Sequence, residues 1–283
     1  MSRLQPFVSG LGFAEAPRWH AGQLWFVDYF QGAVLRANAS GEVERIATVE
    51  GTPGGLGFLP NGSLLVVSQR DFKILRVESD GSTSIYADLA AHARGAANEM
   101  LVDKQGRAYV GHHGFDFFNK APAQPSSLLL VDTDGSARVV AEDLTFPNGT
   151  ALSEDGHLLV LAESFARRLT AFDVAEDGSL SNRRLFADLG EHTPDGICMD
   201  AEGAVWLGSP MTSSFVRVRE GGELLDTIPL PDHRWGVACV LGGEDRRTLF
   251  CVSAATTPEK MPKGQSEAFI ETVRVDMPGA GLP

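Results

Sequence analysis

The stretch ALSEDGHLLVL, residues 151–161, places one apolar run on each side of a short polar turn that contains glycine. This pattern is typical of a β-hairpin. Five further stretches repeat it with different letters: RWHAGQLWFVD (18–28), FLPNGSLLVV (58–67), LVDKQGRAYVG (101–111), CMDAEGAVWLG (198–208) and VLGGEDRRTLFCVS (240–253). The hairpins recur about every 40 to 50 residues, which is the period of a four-stranded propeller blade rather than of a helical repeat.

A second hairpin follows the first in most of these units. Five such hairpins alternate apolar and polar residues around a glycine turn: VLRANASGEVERIAT (34–48), ILRVESDGSTSIYAD (74–88), LLLVDTDGSARVVAE (128–142), LTAFDVAEDGSLSNRRLFAD (169–188) and FVRVREGGELLDTIPL (215–230). Alternation of this kind indicates half-buried strands. Two hairpins give four antiparallel strands, so the chain is predicted to form one all-β domain, residues 1–283, a six-bladed β-propeller.

The last unit ends at EAFIETVRVDMPG (267–279) without a fourth strand. The N-terminal segment LQPFVSGLGFAEAP (4–17) resembles ARVVAEDLTFPNG (137–149), where an outer strand leads into the next blade. We therefore predict that residues 4–8 form the outermost strand of the last blade and pair near residues 268–275. This closure would remove the exposed sheet edges of an open array.

Composition narrows the class of protein. The 283 residues carry a formal net charge of −13 and contain only three cysteines, each in an apolar run. Such a charge, without a basic cluster, argues against a nucleic-acid partner. The N-terminus lacks the apolar core of a signal peptide, and no run approaches the ~18 apolar residues of a membrane span. We expect a cytoplasmic protein that acts on a small molecule, as a monomer or weak homo-oligomer.

The first strand of a propeller blade lines the central channel, so the residues that enter it are candidates for function. The six entries carry Glu15, then Gly54 and Gly55, then Asn98, Asn148, Asp195 and Trp235. Carboxylate and amide oxygens suit Ca²⁺ and, with fewer ligands, Mg²⁺, Mn²⁺ or Zn²⁺. We expect one divalent cation there, most favourably Ca²⁺. If these residues bind a cation, Gly149 and Gly196 are expected to let the backbone bend away after the ligand. The alternative is that PNG (147–149) and PDG (194–196) are ordinary turns.

Several motifs in this order resemble the gluconolactonase and regucalcin (senescence-marker-protein) family of six-bladed propellers. They are AEAPRW (14–19), ANEMLVDKQGRAYVG (97–111), FPNGTALSEDG (146–156), AES (162–164) and TPDGICMDAEGAVWLG (193–208). The resemblance implies a divalent cation in the channel, held by Glu15, Asn148 and Asp195. It also implies that Asn98 lies beside the metal and the substrate.

The chain departs from the pattern of that family at three places. Asn98 is followed by Glu99, where the family usually has aspartate, and Ala16 stands where it usually has glycine. The sugar lactonases of the family place an arginine close before the asparagine, and here Arg94 lies four residues before Asn98. The resemblance thus implies Arg94 as a substrate contact, and it leaves the substrate open between a sugar lactone and another small cyclic ester.

A metal-bound carbonyl and an activated water would open a lactone, provided that a carboxylate takes the proton of the water. The resemblance favours Asp195 as this base. Glu99 is a second candidate, with a solvated position at the rim as its alternative. Both are predicted catalytic residues.

The stretch GHHGFDFFNKAPAQPSS, residues 111–127, forms a longer loop than its counterparts SQRDFK (68–73) and AESFARR (162–168). Long loops over a channel mouth are often lids or recognition elements. Adjacent residues of a strand point to opposite faces, so His112 or His113 is expected to contact the substrate. Phe115, Phe117 and Phe118 suggest an apolar rim or, alternatively, an anchor for the loop.

The motifs of serine hydrolases, zincins, P-loop enzymes and thiol oxidoreductases are missing from the sequence. The leading hypothesis is a metal-dependent lactonase. The alternatives are an organophosphate hydrolase, an enzyme similar to strictosidine synthase on the same scaffold, or a calcium-binding protein without turnover, because a propeller fold alone does not decide among them.

Overall fold

The computed structural model describes residues 4–117 and 119–281, so Phe118 of the predicted rim lies outside the described residues. The described chain forms six four-stranded antiparallel sheets. The innermost strands of neighbouring sheets contact one another around a ring, and β2 (Ala14–His20) contacts both β6 (Pro53–Phe58) and β22 (Arg234–Gly242). The fold is therefore the predicted six-bladed propeller.

Each of the first three blades takes four consecutive strands, ordered from the channel outwards. Blade 1 is β2 (Ala14–His20), β3 (Gln23–Asp28), β4 (Ala33–Ala37) and β5 (Val43–Thr48). Blade 2 is β6 (Pro53–Phe58), β7 (Leu64–Ser68), β8 (Lys73–Val77) and β9 (Thr83–Asp88). Blade 3 is β10 (Ala97–Val102), β11 (Ala108–His112), β12 (Ser126–Val131) and β13 (Ala137–Leu144).

The remaining blades continue the same order, with the N-terminal strand completing the last one. Blade 4 is β14 (Pro147–Leu152), β15 (Leu158–Glu163), β16 (Arg168–Val174) and β17 (Leu180–Asp188). Blade 5 is β18 (Ile197–Met199), β19 (Val205–Ser209), β20 (Ser214–Val218) and β21 (Leu224–Pro229). Blade 6 is β22 (Arg234–Gly242), β23 (Thr248–Ala255), β24 (Glu267–Arg274) and β1 (Gln5–Leu11).

The ring closes as predicted. Strand β1 pairs antiparallel with β24, with Gln5 opposite Thr272 and Leu11 opposite Ala268. Val8 and Leu11 are buried in the apolar core that blade 6 shares with blade 1. The closure thus combines backbone pairing with burial of apolar side chains, and it leaves β24 without a free edge.

Burial explains the difference between inner and outer strands. All five residues of β7 are buried, whereas exposed and less exposed residues alternate through most of the outermost strand β9. Inner strands are covered by the neighbouring blades on both faces and read as continuous apolar runs, while outer strands face water on one side. The apolar clusters lie between adjacent blades rather than at the channel axis.

The turn of residues 151–161 shows how the repeated pattern forms its hairpin. Oδ1 of Asp155 accepts hydrogen bonds from Oγ of Ser153 at 2.6 Å and from the backbone nitrogen of His157 at 3.1 Å. Gly156 follows in the left-handed region, with φ of +79°. The carboxylate of Asp155, which accepts both bonds, and the glycine at the tip therefore fix the conformation of this turn.

Helical structure in the described chain is limited to two short 3₁₀ turns, Ser164–Ala166 and Met261–Lys263. Over residues 4–117 and 119–281, no helix is both long enough and apolar enough to cross a membrane. The three cysteines are buried in the blades as free thiols, as their apolar surroundings in the sequence predict.

Candidate active site in the central channel

A cavity of about 480 Å³ opens at one end of the channel, where loops entering first strands and leaving second strands gather. All six blades contribute to its lining. Four lining residues that sit at the start of the channel strands form a group that we call the polar cluster: Glu15, Asn98, Asn148 and Asp195. Trp235 of blade 6 also lines the cavity, and blade 2 contributes Gln69 from the end of its second strand.

Hydrogen bonds connect the members of the polar cluster to neighbouring blades. Nδ2 of Asn148 donates to Oδ1 of Asp195 at 2.6 Å and to Oγ of Ser164 at 3.3 Å. Nδ2 of Asn98 donates to the backbone oxygen of Pro147 at 3.2 Å. Oγ of Ser164 donates in turn to the backbone oxygen of Pro194 at 2.7 Å. Blades 3, 4 and 5 are therefore joined through the side chains that face the cavity.

The backbone of Asp195 is held from both sides. Its nitrogen donates to the oxygen of Gly208 at 3.0 Å, and its oxygen accepts from the nitrogen of Gly149 at 3.1 Å. The structure corrects the expected role of Gly149 and Gly196, because neither has a positive φ. A Cβ on Gly149 would lie 2.5 Å from the nitrogen of Ile197, and one on Gly196 would lie 2.3 Å from Cβ of Ala238. These glycines allow close approach between blades rather than a bend of the chain.

The glycines of blade 2 leave space in the same way. A Cβ on Gly54 would lie 2.8 Å from the backbone oxygen of Asn98, and one on Gly55 would lie 2.1 Å from the backbone nitrogen of Met100. Blade 2 thus supplies no side chain at the position of the polar cluster, and its backbone approaches that of blade 3 closely instead.

Ala16, directly after Glu15, has a φ of +50° in the left-handed region. A residue with a Cβ is disfavoured there, whereas glycine is not. The backbone therefore explains why a glycine suits this position. The chain retains the conformation that orients Glu15 even though alanine occupies the next site.

The two carboxylates of the polar cluster lie in an electrostatically unfavourable environment. Burial, followed by the charges of Asp195 and Glu99, raises the pKa of Glu15 well above its usual range. Burial and the charge of Glu99 raise the pKa of Asp195 to about 7, against the hydrogen bond from Asn148, which lowers it. Enclosed carboxylates that repel one another bind protons or cations strongly.

Glu99 lies behind this group in a buried ion pair. Its Oε1 accepts from Nη2 of Arg18 at 2.9 Å and from the backbone nitrogen of Met100 at 2.9 Å. Arg18 also donates to the backbone oxygens of Leu56 and Met100, at 2.9 and 2.6 Å. Both side chains are 7% exposed. Glu99 is therefore buried against Arg18 and outside the cavity lining, so its predicted alternative as a solvated rim residue is wrong.

Of the three other predicted substrate contacts, only His113 lines the cavity. Nδ1 of His112 lies 3.0 Å from the backbone oxygen of Arg94, and its Nε2 lies 2.9 Å from Oγ of Ser127. His112 thus fastens two loop segments together. Arg94 is exposed and lies outside the lining. Burial, followed by the charge of His112, lowers the pKa of His113 to about 4, so its ring is neutral at neutral pH.

Four rings line one side of the cavity, and we call them the aromatic wall: His113, Phe117, Phe146 and Phe165. Phe146 stacks on Phe165, with ring centroids 4.3 Å apart, and on His113 at 4.6 Å. Phe117 packs edge-on against Phe146 at 5.3 Å. Phe115 is buried behind the wall, 6.1 Å from Phe146, which fits its predicted alternative role as an anchor of the loop.

The sequence did not point to several residues of the lining. Phe165 and Arg167 follow the second strand of blade 4, and Met211 follows that of blade 5. Pro258, Met261 and Pro262 come from loop 256–266 of blade 6, the other long connection of this kind. Blades 3 and 6 lie opposite each other in a six-membered ring, so loops 113–125 and 256–266 flank the cavity from opposite sides. The length of loop 256–266 was the signal that could have identified its residues as part of the cavity lining.

The donor set fits a divalent cation. Glu15, Asn148 and Asp195 offer hard oxygens, and a cation can replace the protons that the two carboxylates bind strongly. Three His, Cys, Asp or Glu side chains do not gather into a metal-binding group anywhere in the described parts of the chain. Amide oxygens would therefore have to complete the coordination, together with water.

Comparison with known proteins supports a common origin. Residues 13–255 match the family described as the SMP-30/Gluconolactonase/LRE-like region. The 6-deoxy-6-sulfogluconolactonase of Pseudomonas putida is 27% identical, over 99% of this chain and 95% of its own. The regucalcin of Sus scrofa is 27% identical, over 85% of this chain and 82% of its own. A calcium-binding protein, regucalcin, from Agrobacterium tumefaciens has the same fold, with a TM-score of 0.76, 19% identity and coverage of 95% and 93%.

Proposed function

Because this chain belongs to the SMP-30/gluconolactonase/LRE-like family, we propose that it is a cation-dependent hydrolase that opens a lactone ring. One observation carries the proposal: the carboxylates of Glu15 and Asp195 and the amide of Asn148 converge at the base of the channel cavity. The name of the Pseudomonas putida relative supports the choice of a lactone as substrate.

In this proposal Glu15, Asn148 and Asp195 hold one divalent cation, with Ca²⁺ as the first candidate and Zn²⁺, Mn²⁺ and Mg²⁺ as the others. When bound, such a cation polarises a carbonyl group and lowers the pKa of a water molecule. Asn98 faces the same cavity, and we assign it to orienting the substrate. The aromatic wall excludes water from one side of the substrate.

Opening the ring breaks the bond between the carbonyl carbon and the ring oxygen and forms a bond from that carbon to the oxygen of water. The attacking water loses one proton, and the ring oxygen gains one as it becomes a hydroxyl group. We assign both transfers to Oδ2 of Asp195, because Oδ1 accepts the hydrogen bond from Asn148. One carboxylate oxygen can take the proton of the water and return a proton to the ring oxygen.

Glu99 has a different role in this scheme. Its Oε1 holds Arg18 and the backbone of Met100, so it is a poor candidate for a mobile proton acceptor. Its charge raises the pKa of Asp195 and of Glu15. We propose that Glu99 is a positioning residue that acts through these two carboxylates, rather than the base.

The test is a panel of sugar and aliphatic lactones, assayed by the fall in pH that accompanies ring opening. Chelator-treated protein is compared with protein reconstituted with Ca²⁺, Mg²⁺, Mn²⁺ or Zn²⁺, and with the variant Glu15→Gln. We expect activity to be lost on chelation and restored by at least one cation, and to be weak in the variant. Hydrolysis that survives chelation would overturn the role of the cation.

A calcium-binding protein without turnover is the second candidate, favoured by the regucalcin relatives. Calorimetric titration separates it from a lactonase. Tight binding of Ca²⁺ without hydrolysis of any lactone on the panel would support this candidate and contradict the proposed hydrolase.

A further inference from the structure

The aromatic wall is built from rings that contact one another. His113, Phe146 and Phe165 form a continuous stack of three rings, with centroid separations of 4.6 and 4.3 Å and interplanar angles of 15° and 16°. Phe117 lies 5.3 Å from Phe146 and 5.9 Å from Phe165. The wall is thus a contiguous apolar surface that begins on blade 3 and extends across blade 4.

Part of this surface remains exposed to solvent. Phe165 is 48% exposed and Phe117 is 39% exposed, and both line the cavity. Met211, on the next blade, also lines it and is 53% exposed. Contiguous exposed apolar side chains beside a concave site mark a binding surface, whereas scattered single ones do not.

Phe146 is the central residue of the aromatic wall. Its φ of +56° lies in the left-handed region, which a bulky side chain rarely occupies. The ring at this position is central to the wall, because it contacts all three other rings. Thr52, at the equivalent entry to β6, also has a left-handed φ, so this conformation belongs to the connection between blades.

The aromatic wall itself offers few hydrogen-bonding partners to a substrate rich in hydroxyl groups. Three of the four wall side chains are phenyl rings without any hydrogen-bonding atom. Hydroxyl groups buried against them would lose their bonds to water without replacement, which is unfavourable.

We propose that the aromatic wall binds an apolar substituent, so that the substrate is a lactone or small cyclic ester with an alkyl or aryl group rather than a polyhydroxylated sugar lactone. This inference rests on the proposed function. The polar cluster would receive the ester, and the wall would receive the substituent. Met211 and Met261 line the cavity beside the wall and across from it, and flexible thioether side chains adapt well to apolar groups of different shape.

The test measures kcat/KM for γ-lactones with side chains from methyl to hexyl, next to glucono-δ-lactone, in the presence of the activating cation. Burial of each methylene group on the wall should raise kcat/KM roughly fourfold until the wall is covered. The variant Phe165→Ala should lower the ratio of hexyl to methyl activity about tenfold or more, and Phe165→Leu should restore part of it. Leu185→Ala is the control, because Leu185 is 58% exposed on β17, the outermost strand of the same blade.

Two results would overturn the inference while leaving a lactonase in place. They are a kcat/KM that does not rise with side-chain length, and a Phe165→Ala variant that slows methyl and hexyl lactones equally. If no lactone is hydrolysed, the proposed function fails, and calorimetric binding of the same γ-lactones decides the inference separately. Affinity that rises with side-chain length and falls in Phe165→Ala supports it, and affinity independent of length overturns it.

Discussion

Nδ2 of Asn148 donates a hydrogen bond of 2.6 Å to Oδ1 of Asp195, a residue 47 positions away in the sequence and on the next blade. The bond fixes the orientation of the Asp195 carboxylate. It involves the amide nitrogen of Asn148 and not the amide oxygen. The two residues are therefore coupled, and each affects what the other can bind. The first two predictions follow from this coupling.

Replacing Asn148 with alanine should weaken cation binding by roughly tenfold or more, and activity should fall in parallel. In the proposed site the variant removes one of a few oxygen ligands, and it also removes the hydrogen bond that Asn148 donates to Asp195. Calorimetric titration with Ca²⁺ measures the effect. The matched control is Asn61→Ala, in the exposed turn before β7, where Asn61 accepts a hydrogen bond from the nitrogen of Ser63. Equal affinity in Asn148→Ala and Asn61→Ala would show that Asn148 is not a ligand.

The variant Asp195→Asn should lose more turnover than its loss of cation affinity explains, by a factor of about 10² to 10⁴. The amide retains one carbonyl oxygen for a cation but accepts no proton from water. The comparison of kcat is made at saturating cation, where a defect in ligation alone is restored. Recovery to within a few-fold of the wild-type kcat would leave Asp195 as a ligand only.

The stability of the chelator-treated protein should fall as the pH rises from about 4 to about 8. Asp195 has a pKa of about 7 in the folded protein, above the ~3.9 of an unfolded aspartate. Because the folded pKa is raised, the stabilising contribution of this group is complete below the unfolded value and is lost as the pH passes the folded value. Cation affinity should rise over the same range, because the protons have to leave.

Melting curves between pH 5 and pH 8, with and without Ca²⁺, test this expectation. The variant Asp195→Asn should show a flatter dependence on pH in the absence of cation. A wild-type melting temperature that rises with pH in chelator, or an unchanged slope in the variant, would contradict the environment that we assign to this carboxylate.

The left-handed backbone at Ala16 predicts an unusual tolerance for glycine. Ala16→Gly relieves about 1–2 kcal/mol of left-handed strain. It loses roughly 0.5–1 kcal/mol through chain entropy and about 0.8 kcal/mol through the buried methyl group. These terms nearly cancel, so the free energy of unfolding should change little.

The control for this variant is Ala14→Gly, two residues earlier on the same strand. Ala14 is equally buried, with 0% exposure against 1% for Ala16, but has no positive φ. The Ala14→Gly variant should be destabilised by about 1.5 kcal/mol, because it loses the same methyl group and gains the same chain entropy in the unfolded state, without relief of strain. Equal urea midpoints for the two variants would show that Ala16 is not strained.

Deleting residues 1–9 should lower the melting temperature sharply and promote aggregation. The deletion removes most of β1, exposes the backbone edge of β24 and uncovers the apolar surface beneath Val8. Thermal unfolding followed by light scattering measures both effects. Deleting residues 1–3, which precede β1, serves as the control, and identical curves for the two truncated proteins would contradict the importance of closure.

The fold was predictable because each blade repeats a short-range signal. A hairpin such as 151–161 is defined by its own turn residues, and six hairpins at one spacing determine the ring. The candidate residues Glu15, Asn98, Asn148 and Asp195 were visible for the same reason, since each recurs at the entry to a channel strand. Their convergence on one cavity follows from the ring.

Features that depend on contacts between blades were not predictable in this way. Arg18 and Glu99 form their ion pair across 81 positions of sequence, and nothing near either residue indicates the other. The role of Gly149 depends on the backbone of the next blade, and the place of Phe165 depends on the stack with Phe146. A sequence shows which residues recur, but the neighbours of each residue are set by how the blades pack.

The pairing of β1 with β24 also sets an order of events during synthesis. Strand β1 leaves the ribosome first among the strands of the described chain, yet its partner is the last of them to be made. Blades 1 to 5 are each built from strands adjacent in sequence, so they form by local contacts, while blade 6 requires the ends of the ring to meet. Until then the nascent chain is an open arc, with β1 available to pair with a neighbouring molecule. A growing chain can therefore exchange its first strand with another copy until β24 is made and pairs with β1.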